Sequence, residues 1–323
     1  MELIASASPV RRLLAHLDEL SVDVRALKVG HIDPRLRRTQ GPMRVSAGLV
    51  VDLMEAAAEL TGQEDFGLRH GQWLNLRGLD TISLLWEQAG SIAEWYRLAQ
   101  RYVHLENNAL QYDLAIDGEE AALIHGVLAV LRPRATQFTF AFVALTLRVF
   151  RSVLGPGWRP LRAEFMCAAP AEILPYRQFF HCPLHFGEGR NALVVRRAEF
   201  ERKLPGRNPE MVSFLEEHLQ RQSAVQPPSI RDQVAQMLMF EMTGRTPSLA
   251  QIAERMAMSS RTLQRRLAAG GTSYGSVLAA VRRDVAASHV QRFGRTRLSQ
   301  LARDLGFSDA TAASRFLRSK GKS

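Results

Sequence analysis

The chain has 323 residues, of which 46% are hydrophobic, and a formal net charge of +10 at pH 7. This length favours two domains, and the apolar content is sufficient for packed cores, which excludes a wholly disordered chain. The two cysteines, Cys167 and Cys182, exclude a disulfide framework and are typical of a reducing cytoplasm. The sequence predicts neither a signal peptide nor a membrane-spanning helix.

The positive charge is confined to the C-terminal part of the chain. Residues 1–223 contain 26 basic and 26 acidic side chains, whereas residues 224–323 contain 16 basic and 6 acidic ones. A neutral region joined to a basic region indicates that the basic region binds a polyanion. Nucleic acid is favoured over a membrane, because the basic region has the patterns of several buried helices rather than of one interfacial helix.

Residues 1–222 combine helical and strand patterns, and we expect a mixed α+β domain there. The dipeptide Asp117-Gly118 separates two alternating stretches and predicts a β-hairpin. Ser91 and Asn208 precede apolar helical patterns and are predicted to cap them. The predicted helices cover residues 10–20, 45–62, 91–105, 136–155, 170–180 and 208–222, and further strands are predicted at 162–169 and 192–200.

The sequence SAVQPPS at 223–229 has two prolines and no core-forming pattern. It predicts a linker over residues 223–228. Only helical patterns follow it, so we expect an all-α domain over residues 229–323.

Residues 247–267, PSLAQIAERMAMSSRTLQRRL, predict two helices joined by a tight turn. Ser248 and Ser259 are predicted to cap the first and the second helix. The residues predicted to face the core are Leu249, Ile252, Ala253, Met256, Leu263 and Leu267. This pattern is typical of a helix-turn-helix, whose second helix enters the major groove of DNA with its N-terminal residues.

Four residues are predicted to point outward from the start of that second helix: Ser260, Arg261, Gln264 and Arg265. Arg matches the two acceptors of guanine, and Gln matches the donor and acceptor of adenine. No acidic residue lies between Arg255 and Arg283. We therefore expect base contacts from these four residues. Candidates for phosphate contacts are Arg266, Arg282 and Arg283.

A second copy of the pattern occupies residues 297–318, RLSQLARDLGFSDATAASRFLR. Gly306 is predicted to form its turn and Ser308 to cap its second helix. The residues expected to face outward are Asp309, Thr311, Ser314 and Arg315, and the last three are candidates for base contacts. A predicted helix over 272–293 separates the two copies. We expect them to contact successive major-groove faces about 10.5 bp apart.

These two copies and the arginine-bearing helix between them resemble the DNA-binding region of AraC/XylS-type transcriptional regulators. The resemblance implies base contacts at Arg261, Gln264 and Arg265, and a second set near Thr311, Ser314 and Arg315. The chain differs from the family at two places. Ala313 stands where an aromatic residue is common, and the chain ends at Ser323 where the family continues with another short helix.

The first domain resembles a sensor module of one branch of that family. The segments that carry this resemblance are AAAELTGQEDFGLRHG, SIAEWYRLAQRYVHL and YRQFFHCPLHFGEGRNALVVRRAEFERKLPGRNPE. It implies binding of a small-molecule effector, and a role in dimerisation. Aromatic residues of this domain are candidates for an apolar effector pocket. They are Trp73, Trp86, Tyr102, Phe138 and Phe142.

The sequence HCPLH places His181, Cys182 and His185 together, but three ligands around a proline with no second cluster favour packing over a zinc site. We expect no metal, no cofactor and no catalytic site. A DNA-modifying enzyme would need a reactive thiol at Cys167 or Cys182, and neither lies in a cysteine-rich cluster.

The sequence thus predicts a cytoplasmic, effector-responsive transcription factor that binds double-stranded DNA, with a homodimer and RNA polymerase as candidate assemblies and no membrane association. The alternative is a constitutive DNA-binding protein whose first domain only oligomerises.

Overall fold

The computed structural model describes residues 3–27, 29, 32–38, 43–75, 88–204, 208–224, 229–242, 244–294 and 296–320. The chain divides into two compact units. The N-terminal unit comprises Glu2–Gly126 and Arg134–Val225. The C-terminal unit comprises Gln226–Ser323 together with the short segment Val127–Pro133, which the chain reaches much earlier.

The N-terminal unit combines helices with two sheets, in agreement with the predicted α+β class. Its described helices are α1 (Ser8–Glu19), α2 (Arg35–Arg38), α3 (Ala47–Thr61), α4 (Phe66–Trp73), α5 (Ile92–Glu106), α6 (Thr136–Leu154), α7 (Leu174–Phe180), α8 (Arg197–Glu201) and α9 (Pro209–Ala224). Its described strands are β1 (Ile4–Ser6), β2 (Arg44–Ser46), β3 (Leu110–Asp117), β4 (Glu120–Val127), β5 (Arg162–Phe165), β6 (Leu184–Phe186) and β7 (Ala192–Arg196).

The predicted local signals act where they were expected. Ser91 Oγ accepts a hydrogen bond from Glu94 N at 3.0 Å at the start of α5. Asn208 Oδ1 accepts one from Met211 N at 3.0 Å at the start of α9. Gly118, with φ +55°, lies in the turn between β3 and β4, a conformation that glycine adopts without steric cost.

Strands β1 and β2 pair antiparallel, and the other five form one sheet in the order β3-β4-β7-β5-β6. Strand β7 runs antiparallel to both β4 and β5, whereas β5 and β6 are parallel. The main core of the unit contains residues of β3, β4, β5 and β7 together with α5, α6 and α9. This arrangement surrounds α6 with apolar side chains.

Helix α6 has the length and hydropathy of a membrane span, the one such helix among the residues that the structure describes. Its most apolar window is 67% buried within the protein. Phe140, Val143 and Leu147 belong to the core. We therefore describe α6 as a core helix, as the sequence predicts.

Helices α4 and α6 approach each other closely at two glycines. A Cβ atom on Gly67 would lie 2.0 Å from the carbonyl oxygen of Gln137, and one on Gly71 would lie 2.8 Å from that of Ala141. Gly67 N also donates a hydrogen bond to Gln137 Oε1 at 2.8 Å. Only glycine permits this backbone contact, which fixes α4 against the core helix.

The described residues from 229 to 320 form helices and their connections, as predicted for this all-α domain. Its helices are α10 (Ile230–Glu241), α11 (Leu249–Arg255), α12 (Ser260–Ala269), α13 (Tyr274–Phe293), α14 (Leu298–Asp304) and α15 (Ala310–Lys320). Helix α9 extends to Ala224, two residues into the segment predicted as a linker, and residues 225–228 of that segment lie outside the described residues.

The segment Val127–Pro133 packs into the C-terminal unit. Leu128 and Ala129 are fully buried, and Ala129 N donates a hydrogen bond to Met239 O at 3.0 Å, near the end of α10. Ser288 Oγ of α13 donates to the carbonyl of Val130. No local pattern predicts this packing, because the partners lie more than one hundred residues apart in the chain.

Candidate functional site

The first helix-turn-helix consists of α11 and α12. Ser248 Oγ accepts a hydrogen bond from Gln251 N at 3.2 Å, while Gln251 Oε1 accepts one from Ser248 N at 2.8 Å. Ser259 Oγ accepts one from Thr262 N at 3.2 Å at the start of α12. Both serines are the predicted caps, and they satisfy amide groups that the start of a helix leaves without partners.

The two helices of this motif meet through the predicted apolar residues. Ile252 and Ala253 of α11 and Leu263 and Leu267 of α12 are buried. The predicted core positions Leu249 and Met256 are only half-buried. These contacts hold α11 and α12 together.

The tight turn between α11 and α12 passes through Ala257, whose φ of +51° is left-handed. A residue with a side chain adopts this region infrequently. The equivalent turn residue of the second motif is glycine, Gly306, as predicted, with φ +69°. A Cβ atom on Gly306 would lie 2.7 Å from the carbonyl oxygen of Arg245, so no other residue fits there without movement of the backbone.

The second helix-turn-helix consists of α14 and α15, and its cap differs from the prediction. Asp309 Oδ1 accepts a hydrogen bond from Ala312 N at 2.9 Å, whereas Ser308 Oγ donates to Asp309 Oδ2 at 3.3 Å. The prediction of Ser308 as the cap was wrong. Five residues separate α14 from α15, against four between α11 and α12, so the cap moves by one position.

The corrected cap brings the two recognition helices, α12 and α15, into the same register. Counted from Ser259 and Asp309, the candidates occupy the second, fifth and sixth positions of each helix. The equivalent pairs are Arg261 and Thr311, Gln264 and Ser314, and Arg265 and Arg315. The fourth position of each helix, Leu263 or Ala313, is fully buried.

Most of the candidate side chains lie on the surface. Arg261, Gln264 and Arg265 of α12 are exposed, as are Thr311 and Arg315 of α15. Ser260, the first residue of α12, is half-buried, and so is Ser314 of α15. The recognition helices thus present polar groups outward from their N-terminal halves. Ala313, at the position where the family commonly has an aromatic residue, packs inward with no exposed area.

The three candidates for phosphate contacts differ in their surroundings. Arg282 Nε donates to Leu305 O at 3.0 Å, and its Nη2 donates to Thr246 Oγ1 at 2.6 Å. Its guanidinium lies 4.4 Å from the centroid of the Phe307 ring. Arg282 of α13 is half-buried, and these contacts hold it against the turn of the second motif.

Arg266 and Arg283, by contrast, are exposed on the surface of the unit. Arg266 is on the recognition helix α12, and Arg283 follows Arg282 on α13. They are the two exposed members of the three candidates for phosphate contacts.

The N-terminal unit contains an apolar cavity of about 160 Å³ among α1, α3, α4, α5, α6 and β3. Two of the predicted pocket residues, Phe138 and Phe142, line it. Trp73 and Tyr102 do not, and Trp86 lies outside the described residues. Trp73 Nε1 donates to Glu19 Oε2 at 2.7 Å.

The sequence analysis did not identify Arg12 and Tyr112, which also line this cavity. Arg12 lies on the amphipathic helix α1, and Tyr112 lies on the strand β3. Neither pattern distinguishes a residue beside a cavity from an ordinary surface or core residue. Arg12 and Tyr112 are identified as lining residues only by the tertiary packing of the five helices and the strand that form the cavity.

In the segment HCPLH, His181, Cys182 and His185 are not arranged as a three-ligand group. Among the described residues, no group of three or more His, Cys, Asp or Glu side chains is arranged to hold a metal ion. Burial raises the pKa of the Cys182 thiol to about 11 and that of Cys167 to about 12. A thiol that stays protonated is a poor nucleophile.

An α+β unit followed by a basic helical unit with two helix-turn-helix motifs defines a two-domain transcription regulator. A profile of the arabinose-binding domain found at the N-terminus of AraC transcription regulators matches residues 25–204. This match spans more than half of the chain. The protein belongs to the AraC family of transcription regulators.

Relatives with assigned names are also transcription regulators. The HTH-type transcriptional regulator VirS of Mycobacterium tuberculosis is 26% identical over 289 residues, which cover 89% of this chain and 84% of VirS. The ornithine utilization regulator of Pseudomonas aeruginosa is 24% identical over 270 residues, 82% of this chain and 78% of that protein. The crystal structure of the transcriptional regulator CdpR from P. aeruginosa aligns with a TM-score of 0.48 at 19% identity, covering 98% of this chain and 96% of CdpR.

Proposed function

We propose that this regulator binds a specific DNA sequence through α12 and α15, and that a small molecule bound by the N-terminal unit modulates this binding. The observation that carries the DNA part is the shared register of the two recognition helices. Polar side chains occupy the second, fifth and sixth positions after the cap in both helices. Two helices that repeat one contact pattern suit two successive major-groove faces.

The side-chain chemistry assigns different roles to the two helices. In α12, Arg261 and Arg265 suit guanine, and Gln264 suits adenine, each good bidentate pair contributing about 1–3 kcal/mol of discrimination. The hydroxyl groups of Thr311 and Ser314 of α15 can hydrogen-bond to donors or to acceptors on a base edge, so they discriminate little between bases. Arg315 is therefore the more selective group of that helix. We therefore expect α12 to dominate sequence discrimination.

Phosphate contacts are proposed for Arg266 and Arg283, which are exposed. Ser260, at the first position of α12, is a further candidate for contact with a base or with the backbone.

The effector part of the proposal is supported by the cavity in the N-terminal unit and by the family of this domain. An effector changes DNA affinity only if it binds the DNA-competent and incompetent arrangements of the protein with different affinities. Couplings of this kind are typically about 1–3 kcal/mol, or about 5- to 150-fold in affinity.

The DNA part is tested by fluorescence anisotropy with the full chain, using a duplex from its own upstream region and a scrambled duplex over a series of salt concentrations. We expect the specific duplex to bind at least about 10³-fold more tightly. Arg265→Ala should reduce that ratio at least tenfold, whereas Arg231→Ala, at an exposed arginine outside both motifs, should leave it unchanged. Equal binding of the two duplexes with the same salt slope contradicts the proposal.

The second candidate function is a constitutive DNA-binding protein whose N-terminal unit only oligomerises. One surface feature supports the oligomerisation that it requires. Met211 and Phe214 lie one turn apart on α9 with 42% and 59% of their area exposed. We propose a homodimer through this face. Light scattering should give a dimer for the native chain and a monomer for Phe214→Glu, and a native monomer contradicts the dimer.

Effector control is separated from constitutive binding by titrating metabolites into the complex of the full chain with its duplex. A change in duplex affinity with any of them supports control by an effector. RNA polymerase is proposed as a further partner at the promoter, and the cytoplasm as the location, because both follow from action on chromosomal DNA.

A further inference from the structure

The cavity of the N-terminal unit has a wall of aromatic and aliphatic side chains. The rings of Tyr112 and Phe142 meet edge to face with centroids 5.1 Å apart, and Trp95 meets Tyr112 at 5.7 Å. Val50 and Met54 of α3 complete this wall. All five side chains are almost fully buried. Such a wall is rigid and offers few hydrogen-bonding groups.

The polar groups of the cavity are few, and most of them are already engaged. Asn107 is buried, and its Oδ1 accepts a hydrogen bond from Ala109 N at 2.9 Å. His70 is buried with its Nδ1 3.0 Å from Nδ1 of His16, and burial lowers the pKa of His70 to about 3, so that this ring is neutral. These groups fix the protein's own structure.

Two charged side chains line the cavity, Arg12 from α1 and Glu106 from the end of α5. Both are half-buried rather than buried. Arg12 Nε donates a hydrogen bond to Ser8 Oγ at 3.3 Å. The cavity therefore has an apolar body with charge of both signs at its partly exposed edge.

We propose that this cavity binds a compact single-ring apolar compound, with its polar substituent at the edge formed by Arg12 and Glu106, and that it does not bind a sugar. The proposal rests on the proposed effector control and names the class of ligand. A sugar carries a hydroxyl on nearly every carbon, and burying those groups against apolar walls costs about 1–3 kcal/mol for each one left unpaired. The ligand class therefore differs from the one in the name of the domain family.

The volume limits the size of the ligand. A dry cavity of about 150 Å³ lined by apolar side chains holds benzene, as known from an engineered protein. The cavity of about 160 Å³ therefore takes one six-membered ring and a short substituent. A bicyclic or long-chain ligand would have to extend beyond the partly exposed edge or displace the walls.

The test is isothermal titration calorimetry of the full chain, without DNA, with benzyl alcohol, benzoate, benzylamine and L-arabinose. We expect at least one ring compound to bind with a Kd of about 1 mM or tighter and arabinose not to bind. Leu145→Trp, which fills the cavity from α6, should abolish this binding. Leu154→Trp, a half-buried leucine of the same helix outside the cavity, should retain it.

The two charged groups are tested by matched variants. Arg12→Gln should weaken the binding of benzoate at least fivefold, and Glu106→Gln should weaken the binding of benzylamine at least fivefold. Arg11→Gln, on the same helix as Arg12 but outside the cavity, should change neither affinity. If Arg12→Gln and Glu106→Gln change the affinity for neither benzoate nor benzylamine, the polar substituent does not lie at this edge. That part of the proposal is then wrong.

The proposal is overturned if arabinose binds and Leu145→Trp abolishes its binding, or if none of the three ring compounds binds. Duplex binding is measured on the same variants. Ring binding without an effect on duplex affinity would contradict effector control and leave the ligand class standing. If a different compound changes duplex affinity and none of the three ring compounds binds, the proposed ligand class is contradicted while effector control stands.

Discussion

Arg132 and Asp304 form a buried ion pair in the C-terminal unit, with Nη1 and Oδ1 3.0 Å apart and only 9% and 2% of the two side chains exposed. The same guanidinium donates hydrogen bonds to the carbonyl oxygens of Met239 and Met242 at 3.2 Å, at the C-terminal end of α10. Arg132 therefore caps one helix and holds the end of α14, the first helix of the second helix-turn-helix.

Because this ion pair is buried, we expect substitution of either residue to reduce the free energy of unfolding strongly. Asp304→Asn leaves the Arg132 charge buried without its partner, so we expect a loss of about 3 kcal/mol in the free energy of unfolding. Arg132→Met should cost at least as much, because the carbonyls of α10 also lose their donor. Urea denaturation of the full chain measures both.

The control for this pair is Asp23→Asn, since Arg25 and Asp23 form an exposed pair with 91% and 57% of the side chains accessible. We expect no measurable loss there. In a double-mutant cycle, the sum of the losses in unfolding free energy of Arg132→Met and Asp304→Asn should exceed the loss of the double variant by more than 1 kcal/mol. Additive losses would contradict a direct interaction.

Gly67 is predicted to resist replacement. A Cβ atom there would lie 2.0 Å from the carbonyl oxygen of Gln137, so Gly67→Ala must separate α4 from α6. We expect a loss of about 3 kcal/mol. Gly157→Ala is the matched control, because nothing lies within 4 Å of its Cβ position. Equal stability of the two variants would contradict the close helix contact.

The stability of the N-terminal unit should fall with acidification. Burial lowers the pKa of His16, and it lowers that of His70 to about 3, where the neighbouring charges of His16 and Arg12 add to the effect. Both rings protonate near pH 6.5 in the unfolded chain, so the unfolded state binds more protons below that pH. Stability is therefore complete above pH 6.5 and decreases as the pH falls towards 3.

Each neutral histidine contributes a slope of up to about 1.4 kcal/mol per pH unit in that window. His125, whose pKa burial also lowers to about 3, adds to it. Unfolding followed by tryptophan fluorescence from pH 7 to pH 5 measures the slope. His70→Gln should reduce it, and His185→Gln, at an exposed histidine, should not. An unfolding free energy of the native protein that does not change between pH 7 and pH 5 would refute the prediction.

The corrected cap of α15 makes a direct prediction. Asp309→Ala removes the acceptor of the Ala312 amide hydrogen bond, so we expect a loss of about 1 kcal/mol and faster hydrogen exchange at that amide. Ser308→Ala removes no hydrogen bond to the helix backbone and should leave the exchange rate unchanged. The opposite pattern would restore Ser308 as the cap.

The sequence was informative wherever the signal is local. Ser248 and Ser259 cap the predicted helices, and the apolar periodicity of α11 and α12 identifies Ile252 and Leu263 as core residues. The fold class and the family also followed from these patterns. Caps and periodicity depend on residues three or four apart, which a sequence displays directly.

Features set by distant residues could not be predicted. The packing of Val127–Pro133 in the C-terminal unit depends on partners more than one hundred residues away, and the interior role of Arg282 depends on Leu305 and Phe307. A sequence does not show that Arg282, a candidate for a phosphate contact, is half-buried and hydrogen-bonds to the turn of the second motif. The shift from Ser308 to Asp309 arises from one extra turn residue, which periodicity alone does not reveal.

The central claim is that α12 and α15 are equivalent recognition helices on one DNA site. Guanine-methylation interference on the specific duplex tests it most directly, with the native chain, Arg265→Ala and Arg315→Ala compared. We predict that each variant loses its own set of guanines at which methylation interferes with binding, and that the two sets are centred about 10.5 bp apart. Loss of the same guanines in both variants, or no loss in either, would contradict the claim.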